Sequence, residues 1–210
     1  MQNRNKHLLF MVQFAILAAI EAIFCFTPLG SLPAIGPIVA TLAMVPVIIT
    51  AILLGTAAGT AMGALAGLFS FLVWTFTPPN PMMAFVFTPF YSAGEISGNL
   101  GSVLICFLPR ILTGTVAGLL YRGMMKVAPG KEVLACSVSA AAGSMTNTLL
   151  VMGGIWVFFG AQYSTLVGQA MIAVIGVTIL TSGIPEAVVA AVAASAVCKP
   201  VKYVLSRQSH

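Results

Sequence analysis

Arg110 stands near the middle of an apolar run at 100–120, directly after Pro109. An ionised side chain at such a depth costs at least about 2.5 kcal/mol and cannot easily reach water. It therefore needs an anion, either a glutamate or a ligand carboxylate or phosphate held in its planar fork. Glu21, in the run 8–27, and Glu186, just after Gly183-Ile184-Pro185, are the two acids at comparable depth. Two readings follow: a permanent Arg–Glu structural pair, or an Arg110 that contacts a ligand, alone or beside a glutamate. Asn147 and Thr148, within Met145-Thr146-Asn147-Thr148, add hydrogen-bonding groups that either join helices or face the same ligand. Trp74, Trp156 and Tyr163 read as an aromatic belt or as a stacking wall. Asn80 and Thr77 could supply polar contacts from a loop. Glu95 falls in that loop and reads as solvent-facing.

What is missing narrows the chemistry. Aspartate is absent, and the histidines are His7 and His210, both at the ends. There is no HExxH, no GxSxG and no acidic cluster, so no catalytic residue and no metal ligand is assigned. There is no GxxxxGK[ST] loop for ATP. Cys25, Cys106, Cys136 and Cys198 lie in or beside apolar runs without CxxC spacing, and read as small buried apolar residues.

These side chains must be positioned by membrane helices. Hydrophobic residues are 60% and charged residues 6% of the 210, against roughly 25% charged in a soluble domain. The expected fold is an all-α integral membrane protein, one domain over 1–210. The first apolar run lacks a small-residue cleavage site, so no cleavable signal is expected. A span needs about 20 apolar residues, which places spans at 8–27, 39–55, 57–76, 100–120, 133–159 and 184–204. Pro46 predicts a kink in the second. Outer loops fall at 28–38, 77–99 and 160–183, with 166–182 as a short outer segment and one long bent helix as the alternative. The basic residues cluster as Arg4, Lys6 and His7, then Arg122, Lys126 and Lys131, then Lys199, Lys202 and Arg207. Six spans put all three clusters, and both termini, on the cytoplasmic side. The net charge of +5 is thus a topology signal, not a nucleic-acid one.

Small residues recur at four-residue steps: Ala15 with Ala19, Ala18 with Ala22, the row Gly55, Gly59, Gly63, Gly67, and Gly114 with Gly118. Such rows let helix backbones approach closely, either within the bundle or against a partner helix.

Several strings, in order, carry a resemblance: FTPLGSLPAIGPIVATLAMVPVIITAILLG (26–55), GTAMGALAGLFSF (59–71), TPPNPMMAFVFTPF (77–90), LPRILTGTVAGLLYR (108–122), SMTNTLLVMGGIWVFFG (144–160) and GIPEAVVAAV (183–192). Together they resemble the substrate-binding S component of energy-coupling factor (ECF) vitamin transporters, in the riboflavin and pantothenate group. The resemblance implies a compact six-helix bundle in a prokaryotic cell membrane that binds a vitamin from outside. It implies no cofactor on this chain; a membrane T component and two ABC-type ATPases would be the partners, and ATP would be used by those ATPases. It maps a docking motif onto Ala15 and Ala19, or Ala18 and Ala22. It maps the vitamin onto residues 28–38, Arg110, Asn147 and Glu186. Thr148, Trp74, Asn80, Trp156 and Glu21 are further candidates from their residue types and positions alone. Glu21 matches no part of the family pattern. Arg110 with Asn147 and Thr148 suits pantothenate, which offers a carboxylate, an amide and hydroxyls. Riboflavin or a queuosine precursor as ligand is the alternative within the family. Outside it stand a self-sufficient proton-coupled carrier using Glu21, Glu186 and Arg110, and an intramembrane enzyme.

Overall fold

The computed structural model describes residues 2–27, 42–94, 96–168 and 170–208, and for residues 2–6, 93, 166, 167, 171, 199 and 202–208 the backbone alone. The expected loop 28–38 and Glu95 lie outside the described residues. Helix α1 spans Gln2–Phe26, α2 Met44–Leu53, α3 Thr56–Phe76, α4 Leu100–Val127, α5 Glu132–Val167, α6 Met171–Thr178 and α7 Ile184–Gln208. A 3-10 segment covers Pro81–Val86, and strands β1 (Ser92–Ala93) and β2 (Ile96–Ser97) pair antiparallel, Ser92 opposite Ser97. Among the described residues, five helical stretches are long and apolar enough to cross a membrane, the last running through Ile172–Cys198. The protein is all-α where it meets the bilayer.

The helix at α2 is shorter than the run 39–55 suggests. Ten residues at 1.5 Å each reach only about 15 Å, and eight of them, Met44 and Pro46–Ile52, are buried. An apolar helix covered on all sides is a core helix, and α1, α3, α4, α5 and α7 all pack on α2. Pro46 sits in its first turn, where backbone N–H groups have no helical acceptor, so it starts the helix rather than kinking it. Gly55 then turns the chain with φ 103°, a conformation that favours glycine, and a Cβ there would collide with the Arg122 guanidinium. The α2–α3 turn therefore lies at the same end as Arg122, Lys126 and Lys131: the basic end of the bundle.

The expected outer loop 160–183 is corrected. Helix α5 continues to Val167 and stops at Gly168, φ 70°, so the connection shrinks to 168–170. From Met171 onward the chain stays helical, through a π turn at Ile179–Gly183, to Gln208. The long bent helix, not a short outer segment, is what forms. Pro185 explains the π turn. It has no N–H to give the carbonyl four residues back, and the ladder slips so that Ile184 N–H donates to the Ile179 carbonyl, five residues back.

Two apolar clusters divide the interior. One surrounds α2 at the basic end with Met62, Ala66, Ala117, Tyr121, Ala140 and Ala194. The other, toward the β hairpin, holds Phe85, Ile105, Met152, Ile155, Phe159, Tyr163 and Val174. Read along α4, α5 and the α6–α7 helix, a set of polar residues falls between the clusters: Arg110 and Thr113, then Ser144, Asn147 and Thr148, then Thr178, Ser182 and Glu186. The candidate site is this polar layer.

Candidate functional site

A cavity of about 60 Å³ opens in that layer, lined by Trp74, Phe87, Arg110, Asn147, Thr148, Val151, Met152, Thr178, Ser182 and Glu186. At about 10–15 Å³ per water, it has room for a handful of waters.

Arg110 is held there by its own helix. Pro109 lacks the N–H that would bond the Ile105 carbonyl, and Arg110 Nη1 donates to that carbonyl at 2.9 Å. The Pro109 carbonyl in turn accepts from Thr113 Oγ1 at 2.8 Å. The guanidinium carbon stands 5.4 Å from the Phe87 ring centroid, a cation–π distance. Phe87 stacks on Trp74, ring centroids 4.6 Å apart and planes 27° apart. The segment carrying Phe87 is tied down on two sides. Thr88 and Thr75 hydroxyls meet at 2.9 Å, and Ser102 Oγ donates to the Phe85 carbonyl at 2.6 Å. Asn99 caps α4 just beside this, its Oδ1 accepting from Gly101 N–H at 2.7 Å.

Three polar atoms of the lining have no hydrogen-bond partner: Arg110 Nε, Asn147 Oδ1 and Thr178 Oγ1. Arg110 is 8% exposed and Thr178 2% exposed. A buried polar atom left unmade costs about 1–3 kcal/mol. All three belong to residues that line this one cavity.

The cavity brings together five of the residues expected from sequence: Arg110, Asn147, Thr148, Glu186 and Trp74. It does not include three others. Asn80 Oδ1 accepts from Met82 N–H and caps the 3-10 segment. Trp156 faces out, 58% exposed. Glu21 is fully buried on α1 but lies off the cavity; the Cys25 thiol donates to its Oε1 at 3.3 Å, and its Oε2 has no partner. Arg110 reaches Glu21 electrostatically, but no hydrogen bond joins them. Tyr163 is buried in the hairpin-side cluster and is not part of an aromatic belt, while Thr77 ends α3 in an exposed position. Asn147 spends no Oδ1 bond on a neighbouring helix.

Sequence reasoning missed Phe87, Val151, Met152, Thr178 and Ser182. The last two had a signal: with Glu186 they stand at four-residue steps, with Pro185 inside the last step. Phe87 had none, because it reaches the site from a loop.

The small-residue rows separate cleanly. Cβ atoms placed on Gly59 and Gly63 would strike Ala51 and the Arg110 carbonyl, and one on Gly114 would strike the Gly59 carbonyl. The glycine row is internal packing between α3 and its neighbours. On α1, Ala18 packs on the core, whereas Ala15 and Ala19 fall on the exposed face.

A family model described as the ECF transporter, substrate-specific component, matches residues 9–198. The chain is also 34% identical over 163 residues, 77% of its own length and 76% of the relative's, to the pantothenic acid transporter PanT of Lactococcus lactis subsp. cremoris (strain MG1363). The chain belongs to the ECF substrate-specific component family. It is a multi-pass protein of a prokaryotic membrane and the substrate-specific component of a transporter.

Proposed function

We propose that this member of the ECF substrate-specific family binds pantothenate in the Arg110 cavity and delivers it to an ATP-driven import machine. The observation that carries the reading is the state of Arg110. Its guanidinium lines the cavity, is held by a backbone carbonyl rather than by Glu21, and keeps Nε without a partner. A cation so placed suits a ligand carboxylate through a charge-assisted bond. Asn147 and Thr148 suit the ligand's amide and hydroxyls, and Val151, Met152 and Phe87 suit its branched apolar middle. The similarity to a pantothenic acid transporter supports the same choice.

On this reading the chain crosses the membrane six times with both termini and the basic end in the cytoplasm, following the lysine and arginine bias. It carries no resident cofactor. A membrane T component and two ABC-type ATPases supply the energy by hydrolysing ATP, and the exposed Ala15–Ala19 face of α1 is the docking surface.

The test is titration calorimetry of the purified chain, with mass spectrometry of any small molecule it retains. Tight binding of pantothenate, with a much weaker response to its neutral alcohol panthenol, is the expected result. Equal affinity for the two would remove Arg110 from the ligand. Riboflavin or a queuosine precursor found in its place would reassign the substrate. Uptake into liposomes by the chain alone, driven by a pH gradient, would overturn the partnership.

A further inference from the structure

The π turn in the last helix carries more information than a proline kink. In a regular α-helix, Thr178, Ser182 and Glu186 would fan out over about 80°. One inserted residue makes the step from 178 to 186 equivalent to seven, and brings its two ends to within about 20° of one another. All three side chains line the cavity. The turn is also seated firmly: a Cβ on Gly183 would meet Thr148 Cγ2 at 3.0 Å.

Thr178 departs from the habit of most helical threonines, as does Thr56 at the start of α3, whose buried hydroxyl also makes no hydrogen bond. Thr50, Thr60, Thr113, Thr115, Thr146 and Thr181 each donate to the carbonyl four residues back. The Thr178 hydroxyl, 2% exposed, makes no hydrogen bond and lines the cavity. A helical hydroxyl normally satisfies itself locally. One that does not, inside a cavity, is available to a ligand.

We propose that the π turn at Ile179–Gly183 is the substrate-selecting element of the site, setting Thr178 to hydrogen-bond a ligand hydroxyl while Arg110, on α4, holds the carboxylate. The inference rests on the pantothenate reading and deepens it. Arg110 alone would accept any small carboxylate of the right length. Selection for a hydroxylated one requires a buried group that is left unpaired when the hydroxyl is missing, and such groups discriminate far better than apolar walls do. Pro185 makes the arrangement by withholding one backbone donor.

The experiment measures affinity of the full-length purified chain for pantothenate and for its two single-deoxy analogues, each lacking one hydroxyl. Thr178→Val should weaken pantothenate about three- to tenfold, the worth of one hydrogen bond. It should leave one deoxy analogue within twofold of its wild-type affinity, because that analogue has already lost the partner. Thr178→Ser, which keeps the hydroxyl, should restore discrimination. Pro185→Ala returns the missing N–H, lets the ladder revert to α, and should lose the same discrimination with helix content unchanged. If Thr178→Val weakens pantothenate and both analogues equally, or not at all, or if Pro185→Ala discriminates like wild type, the inference fails and the pantothenate reading stands. If the wild-type chain binds no pantothenate, both fall together.

Discussion

Helix α4 has two faces that solve opposite problems. On one, Gly114 and Gly118 meet the α3 row of Gly59 and its neighbours so closely that a Cβ on either side would strike backbone or side-chain atoms of the other helix. The Thr60 and Thr115 hydroxyls join across this seam at 2.8 Å. On the other face, Pro109 and, on the last helix, Pro185 withhold backbone donors, and the helices stand apart around a polar cavity. Glycine removes a side chain and lets two helices close. Proline removes a donor, leaves a carbonyl or a ladder to be rearranged, and turns polar side chains inward. The same apolar helix is made rigid on one side and receptive on the other by these two residues.

The seam is where a single change has the largest effect. Gly63→Leu would push a side chain into the Arg110 backbone carbonyl, and overpacking of this kind costs about 1–3 kcal/mol or more. The expected outcome is loss of a monodisperse peak in size-exclusion chromatography, or a melting temperature lower by about 10 °C or more. A variant that behaves like wild type would show that the α3–α4 contact is not a tight one, and the contrast between the two faces would dissolve.

Next comes the cavity. Arg110→Gln should weaken pantothenate about tenfold or more by removing a charge-assisted contact, and should barely change binding of panthenol. Calorimetry with both ligands separates the roles. Parallel losses for the two would mean that Arg110 serves mainly as the cap on the Ile105 carbonyl, so that the receptive face is structural too.

The legibility of the molecule follows the same division. The membrane class and the four-residue glycine row were readable because apolar runs, charge clusters and four-residue steps are local patterns. Arg110, Asn147, Thr148 and Glu186 stood out in the sequence because polar groups at membrane depth are costly wherever they sit, and the structure gathers them at one cavity. Phe87 was not, since its place depends on Thr75 and Ser102 tying a loop back over α4. The π turn was not, because Gly183-Ile184-Pro185 reads first as a break between two segments, with a bend in one long helix as the alternative. The start of α2 was not readable either, because an apolar run does not mark where a helix begins; α2 starts at Met44 and is covered by protein.

A smaller effect is expected away from both faces of α4. Ala19 lies on the exposed side of α1. Ala19→Phe should leave pantothenate affinity unchanged and stability within about 0.5 kcal/mol, yet lower ATP-dependent uptake in cells several-fold if this face docks a partner helix. The paired control is Ala18→Phe, which points into the core and should lower the melting temperature. If both variants transport normally, docking uses another surface.

The smallest effect is expected at Glu21, and it decides where the receptive region ends. Glu21 is as buried as any residue of the seam, on a helix that packs against α2 and α3. It lies off the cavity and makes one hydrogen bond, from the Cys25 thiol. A carboxylate paired with Arg110 would be a costly partner to remove, because breaking a buried pair leaves a bare charge, at about 3–5 kcal/mol. A carboxyl that merely fills space beside Cys25 is replaced by an amide at little cost. Glu21→Gln keeps the shape and the acceptor for Cys25, so pantothenate affinity should stay within about twofold of wild type. A tenfold change would make Glu21 the counter-charge that tunes Arg110. The polar layer would then run through the α1 side of the bundle, and the docking helix and the ligand cavity would share one electrostatic unit.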